Sequence, residues 1–268
     1  MTITERRAPR VFQRGEPAAA GTPALVRPTW WIQVLIIVGF AVAYDEVRSL
    51  HGDVVAAGVR HGRDILQLDQ TLHLNWSAPM NHWLVHHEWV GDALSGYYVV
   101  MHLGMTALTL LVLWIHGHRY RYHRNVLILL SLIGLGVYWL YPTAPPRLID
   151  AGFHDTVAAT LPFAYRVETA SANLYAAVPS LHMAWALWVA IAIWAMTTRW
   201  WLRTLAALHP VMTAATVLAT GNHYTIDLLA GIALTCAGYL IYAPSIRLVR
   251  PRSAAAETLR APRRTAGS

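Results

Sequence analysis

The chain has 268 residues, 56% of them apolar and only 13% charged, and a formal net charge of +7. All 21 basic side chains are arginine, which excludes Schiff-base lysine chemistry and a Walker-type phosphate loop, because both need an ammonium group. Cys236 is the single cysteine, so neither a disulfide framework nor a thiolate metal site can form within one chain.

Residues 1–28 hold Arg6, Arg7, Arg10, Arg14 and Arg27 among Pro, Ala and Gly, and read as a disordered basic tail. The apolar run behind it lacks a small-residue cleavage site, so a permanent span is expected rather than a removable signal peptide. Near-continuous apolar runs of membrane-spanning length then predict an all-α, polytopic membrane protein with six spans. They cover approximately Thr29 to Tyr44, Ala93 to Ile115, Asn125 to Tyr141, Val178 to Met196, Leu205 to Thr220 and Ile226 to Tyr242. Aromatic anchors such as Trp30, Trp31, Trp114, Trp139, Tyr141, Trp200 and Trp201 mark their ends. The expected organisation is a membrane catalytic domain over 29–243, followed by a second basic tail over 244–268.

Orientation follows from arginine placement. The N-terminal tail, the segments His116 to Arg124 and Thr197 to Arg203, and the C-terminal tail hold 16 of the 21 arginines. By the positive-inside rule these are cytoplasmic, which puts both termini inside. The opposite side has Arg48, Arg60, Arg63, Arg147 and Arg166 with 11 of the 14 acidic residues.

Between spans one and two, within 51–92, Val54, Val55, Gly58, Ile65, Leu68 and Leu72 recur at roughly helical spacing among polar residues. This suggests extracytoplasmic helices lying in the membrane interface, where they would roof or flank a site; an ordinary solvated loop is the alternative. His82 and His86, followed by His87 and Glu88, read as interfacial polar residues rather than a metal pair, since no second pair or thiolate accompanies them. No metal or other cofactor is expected.

The third loop opens with YPTAPPRL, whose prolines cannot continue a helix and fix where Arg147 points. Two clusters follow, PSLHMAW from Pro179 and GNHYTIDLLAG from Gly221, each placing a histidine at the mouth of a span that enters the membrane from outside. Asp227 stands four residues after His223, on the same helical face. Two helix N-termini facing one place would welcome an anion, with Arg147, Ser180, Asn222 and the histidines as donors. Arg166 is the second candidate cation. In span two, Tyr98 and His102 share a face and are expected either to line a lipid cavity or to form a buried structural hydrogen bond.

These motifs resemble the type 2 phosphatidic acid phosphatase superfamily, which shares its core with vanadium haloperoxidases and carries K-x6-RP, PSGH and SR-x5-H-x3-D motifs. The second motif stands here as PSLH, ending in His182, and the third as His223 to Asp227. The first motif is replaced by PTAPPRL, and the Ser-Arg of the third falls on Thr216 and Val217, a simplified form similar to the inositol phosphorylceramide synthase branch. The resemblance covers roughly Tyr97 to Tyr242.

What it implies is transfer of a phospho-head group of a membrane lipid to a lipid or polyol hydroxyl. His223 would be the nucleophile forming a phosphohistidine, Asp227 would orient it, and His182 would act as general acid and base. With water as acceptor the same chain is a lipid phosphate phosphatase, acting on phosphatidic acid or polyprenyl pyrophosphate. A serine protease based on Ser180 lacks its nucleophile elbow and leaves Asp227 unexplained. A transporter or scaffold would show hydropathy repeats that are not evident, and a haloperoxidase would be soluble. The expected setting is a cell membrane with the site on the extracytoplasmic side, no nucleic-acid partner, and an oligomeric state that the sequence does not define.

Overall fold

The computed structural model describes residues 29–49, 54–117, 119–160 and 173–248. It is helical, and among the described residues the only β-type pairing is an isolated bridge between Thr143 and Ala176. In chain order the helices are α1 (Trp30–Ser49), α2 (Val54–Thr71), α3 (Ser77–Val85), α4 (Glu88–His116), α5 (Tyr120–Leu140), α6 (Thr156–Thr160), α7 (Leu181–Met196), α8 (Trp200–Ala219) and α9 (Thr225–Leu248), with a 3-10 turn at Pro146–Leu148.

Four of these, α4, α5, α8 and α9, are long and apolar enough to cross a membrane. The segment expected to span from Val178 is shorter: α7 has 16 residues, and at 1.5 Å per residue it reaches about 24 Å. Its start is fixed by Pro179, whose ring cannot continue a helix backwards, and by Ser180, whose Oγ accepts from Met183 N–H at 3.3 Å as an N-cap. The apolar stretch alone overreaches by three residues. At α4 and α9 the opposite holds, because backbone hydrogen bonding runs on into the polar ends.

The bundle is built round α7, which packs against α4, α5, α8 and α9. Trp188 is fully buried at its centre, among Val126, Leu130, Ala184, Val189 and Ala192. The two indoles at the heart of the bundle find internal partners, as buried donors must where no water is available. Trp188 Nε1–H donates to the His123 carbonyl at 2.8 Å, and Trp185 Nε1–H to Ser131 Oγ at 3.1 Å. The exterior is broadly apolar: Leu103, Leu108, Leu111 and Ile115 of α4 and Leu240 and Ile241 of α9 are all exposed.

The segment expected to hold interfacial helices does form α2 and α3, but α2 buries only part of the expected stripe, Gly58 and in part Ile65. Gly58, Gly62, Leu66 and Asp69 face inward, while Val55, Leu68 and Leu72 face outward. The reason is close approach. A Cβ on Gly62 would lie 2.6 Å from the Ala144 carbonyl oxygen, so glycine lets α2 sit directly on the proline-rich loop.

A second close approach joins α7 to α9. Any Cβ on Gly231 would collide with the Ser180 carbonyl oxygen and press on Met183. Replacing Gly231 by Ala should therefore cost about 1–3 kcal/mol. The expected result is a lower melting temperature and reduced monodisperse yield in detergent; an unchanged melting curve would show that the two helix starts tolerate separation.

Candidate active site

The site is assembled where α7 and α9 begin. Ser180 N–H donates to the Asp227 carbonyl at 3.0 Å, so the two N-termini meet at one end of the bundle. The chain leaves α8 through Gly221, whose φ of +69° lies in the left-handed region that glycine enters without steric cost. Asn222 N–H and His223 N–H both return to the Val217 carbonyl, at 3.0 and 3.1 Å, which winds the turn tightly and aims the His223 ring at α7.

The start of α9 is held by two buried carboxylates. Tyr224 precedes the helix and its side chain cannot cap it, so Asp227, three residues on, accepts from Tyr224 N–H at 3.0 Å, the reciprocal half of a capping box. Asp69 of α2 supplies the rest from 156 residues away in sequence: its Oδ2 accepts from Thr225 N–H at 2.8 Å and its Oδ1 from Ile226 N–H at 3.0 Å. The Tyr224 hydroxyl donates to the Ala144 carbonyl at 3.0 Å, tying this corner to the proline-rich loop.

The same Asp227 Oδ2 stands 3.2 Å from His223 Nδ1. Because Oδ2 already takes the Tyr224 N–H, it acts as acceptor, and His223 carries its proton on Nδ1. The lone pair is then on His223 Nε2, which accepts from His182 Nδ1 at 3.1 Å. The result is a directed chain, His182 to His223 to Asp227. Burial, helped by the nearby Arg147 charge and opposed by the Ala177 carbonyl, pushes the His223 pKa below its ordinary value, so the ring is neutral near neutral pH. A neutral imidazole with a fixed tautomer and its Nε2 lone pair turned into the site has what a nitrogen nucleophile requires.

Arg147 reaches this turn from the loop after α5. Its backbone N–H donates to the Gly221 carbonyl at 3.1 Å, and its Nε lies 3.1 Å from Asp155 Oδ2. Tyr98 and His102 of α4 surround His182: the Tyr98 ring stacks on it at 4.9 Å, and His102 lies 4.1 Å from it while stacking on Trp185 at 4.7 Å. They brace the His182 ring.

The structure thus brings together His182, His223, Asp227, Arg147, Tyr98 and His102. Ser180 and Asn222 lie close by, but the hydrogen bonds of their side chains are local. Ser180 caps α7, and Asn222 Nδ2 donates to Thr220 Oγ1 at 2.7 Å. Arg166 lies outside the described residues. Among the described residues no cluster of three or more His, Cys, Asp or Glu is arranged to hold a metal.

Three residues escaped the sequence reading: Asp69, Asn81 and Asp155. Asn81 is fully buried, donates to the carbonyls of His154 and Ala219 at 3.0 and 2.8 Å, and accepts from His154 N–H at 2.8 Å. It clamps the Arg147 loop to the end of α8. The one available signal was an Asp on the inward face of an interfacial helix; nothing in the spacing named its partner.

The PAP2 superfamily model matches residues 63–241. The chain therefore belongs to the PAP2 superfamily, the family that its two histidine motifs resemble. It is similar to a phosphoinositol dihydroceramide synthase of Bacteroides thetaiotaomicron, 27% identical over 191 residues, which is 65% of this chain and 62% of that protein. No solved structure matches the chain.

Asp69 generates a pH prediction. Burial raises its pKa from 3.8 to about 6, the two backbone N–H groups acting the other way and the neighbouring Asp227 adding to the rise. Below that pH Asp69 gains a proton, and an O–H then faces an N–H that needs an acceptor. The catalytic rate should fall as pH drops through about 6, and Asp69→Asn should run at a lower rate without that acid limb. A pH–rate profile of both proteins checks this, and an identical limb in the variant would assign it elsewhere.

Proposed function

We propose that the protein is a membrane lipid phosphotransferase that moves a phospho-head group from a lipid phosphodiester to a hydroxyl acceptor through a phosphohistidine. The observation that carries this reading is the hydrogen-bonded chain from His182 through His223 to Asp227, set beside Arg147 at the shared mouth of two helices.

In this reading the substrate phosphorus displaces His182 from His223 Nε2. His223 Nε2 forms a bond to phosphorus as the bond to the leaving oxygen breaks, and His182 protonates that oxygen. Asp227 accepts the Nδ1 hydrogen bond and stabilises the positive charge that develops on the His223 ring. His182 then takes the proton of the acceptor hydroxyl, whose oxygen attacks phosphorus and releases His223, so the cycle closes with no net proton change. Arg147 and the N–H groups at the two helix starts hold the non-bridging phosphate oxygens.

The similarity to a protein named as a phosphoinositol dihydroceramide synthase favours an inositol-bearing donor and a ceramide-type acceptor. The arginine distribution supports a site on the extracytoplasmic side of a cell membrane, with six spans and both termini inside. If water replaces the acceptor, the same steps hydrolyse a lipid phosphate.

Detergent-purified wild type and His223→Ala are incubated with phosphatidylinositol, phosphatidic acid and polyprenyl pyrophosphate, with and without ceramide, while free phosphate and new lipids are followed. A new phosphosphingolipid that needs both wild type and acceptor is expected. His182→Ala should lose roughly 100- to 10,000-fold in rate, the range for a general acid or base. Equal product from His223→Ala would overturn the phosphohistidine. Free phosphate without a new lipid would make the protein a phosphatase.

A further inference from the structure

We propose that Asp155 is a specificity-determining residue: paired with Arg147, it matches the anion site to a singly charged phosphodiester and against a doubly charged phosphomonoester. The inference rests on the proposed site, and it concerns the charge of the anion that the site accepts.

The pair is inside the protein, with the Arg147 side chain 7% and that of Asp155 20% exposed. Asp155 Oδ2 faces Arg147 Nε at 3.1 Å, while its Oδ1 accepts from Ala158 N–H at 2.9 Å. Both partners are anchored. Arg147 is bonded through its backbone to Gly221, two residues before His223, and the residue before Asp155 is gripped on both its N–H and its carbonyl by Asn81.

Asp155 stands on the Nε side as an ion-pair partner without a formed hydrogen bond, which leaves the Nη1 and Nη2 edge of Arg147 to face an anion. That edge of a guanidinium presents two parallel N–H donors to a pair of phosphate oxygens. The donors remain, but the charge behind them is already opposed, since one cation faces one resident carboxylate. A phosphodiester brings one negative charge to that pair. A phosphomonoester brings a second, which meets Asp155 at short range in a poorly screened setting. The neutral His223 ring supplies no compensating cation.

The balance is testable by binding alone, using the full chain in detergent at pH 8 with inorganic phosphate as dianion and dimethyl phosphate as monoanion. Asp155→Asn should bind inorganic phosphate at least about tenfold more tightly than wild type, the scale of one unit charge several ångströms away. Dimethyl phosphate, with half the charge, should gain only about the square root of that factor, roughly threefold for a tenfold gain by phosphate, because the Coulomb energy is linear in charge. Asp155→Glu keeps the charge and should keep the wild-type ratio of the two affinities, which separates charge from packing. Equal shifts for both anions, weaker binding of both, or no detectable phosphate binding by Asp155→Asn would overturn the assignment. Because no turnover is needed, absence of lipid transfer by wild type would sink the proposed function and leave this selectivity result standing.

Discussion

The hydrogen bond from Ser180 N–H to the Asp227 carbonyl, 3.0 Å long, joins the first turns of α7 and α9, and the whole site hangs from that junction. It brings two sets of unpaired helix-start N–H groups together, which is unfavourable unless negative charge or acceptors answer them. The chain answers with Ser180 on α7 and with Asp227 and Asp69 on α9. Gly231 is the steric condition for the junction, since a side chain there would strike the Ser180 carbonyl.

Asp227 does two jobs that are physically one. A helix start needs an acceptor for its cap N–H, and an imidazole held in one tautomer needs an acceptor for its Nδ1 proton; a single oxygen, Oδ2, receives both. The His223 ring is therefore fixed to the helix start by the same carboxylate oxygen that sets its tautomer. Around it, α2 acts as an outer brace. Gly58 and Gly62 let it press onto Tyr175 and the Ala144 carbonyl, and Asp69 reaches beneath to hold the start of α9. The proline-rich loop is caught between, through Tyr224 to Ala144 and Arg147 to Gly221.

Much of this was legible. Apolar runs gave the helices in nearly their right places, because in lipid a span must be both apolar and internally hydrogen-bonded. The pairing of His223 with Asp227 followed from four-residue spacing on one helix face. The convergence of PSLH with the second cluster followed from counting spans, and His182 does meet His223. What misled was hydrophobicity on α2: Val55 and Leu68 face outward, while Gly62 and Asp69 face in beside Leu66, because close backbone approach and a buried cap outrank apolar burial at those positions.

The sequence by itself determined the membrane character, the helical class and the pairing of His223 with Asp227, since each depends on composition or on spacing within one helix. Tertiary structure alone decided which distant groups complete the site. Asp69 lies 156 residues from Thr225, and Asn81 lies 138 residues from Ala219. No periodicity links such positions. Their partners are backbone N–H and carbonyl groups, which every residue carries and which therefore leave no mark in the amino-acid sequence.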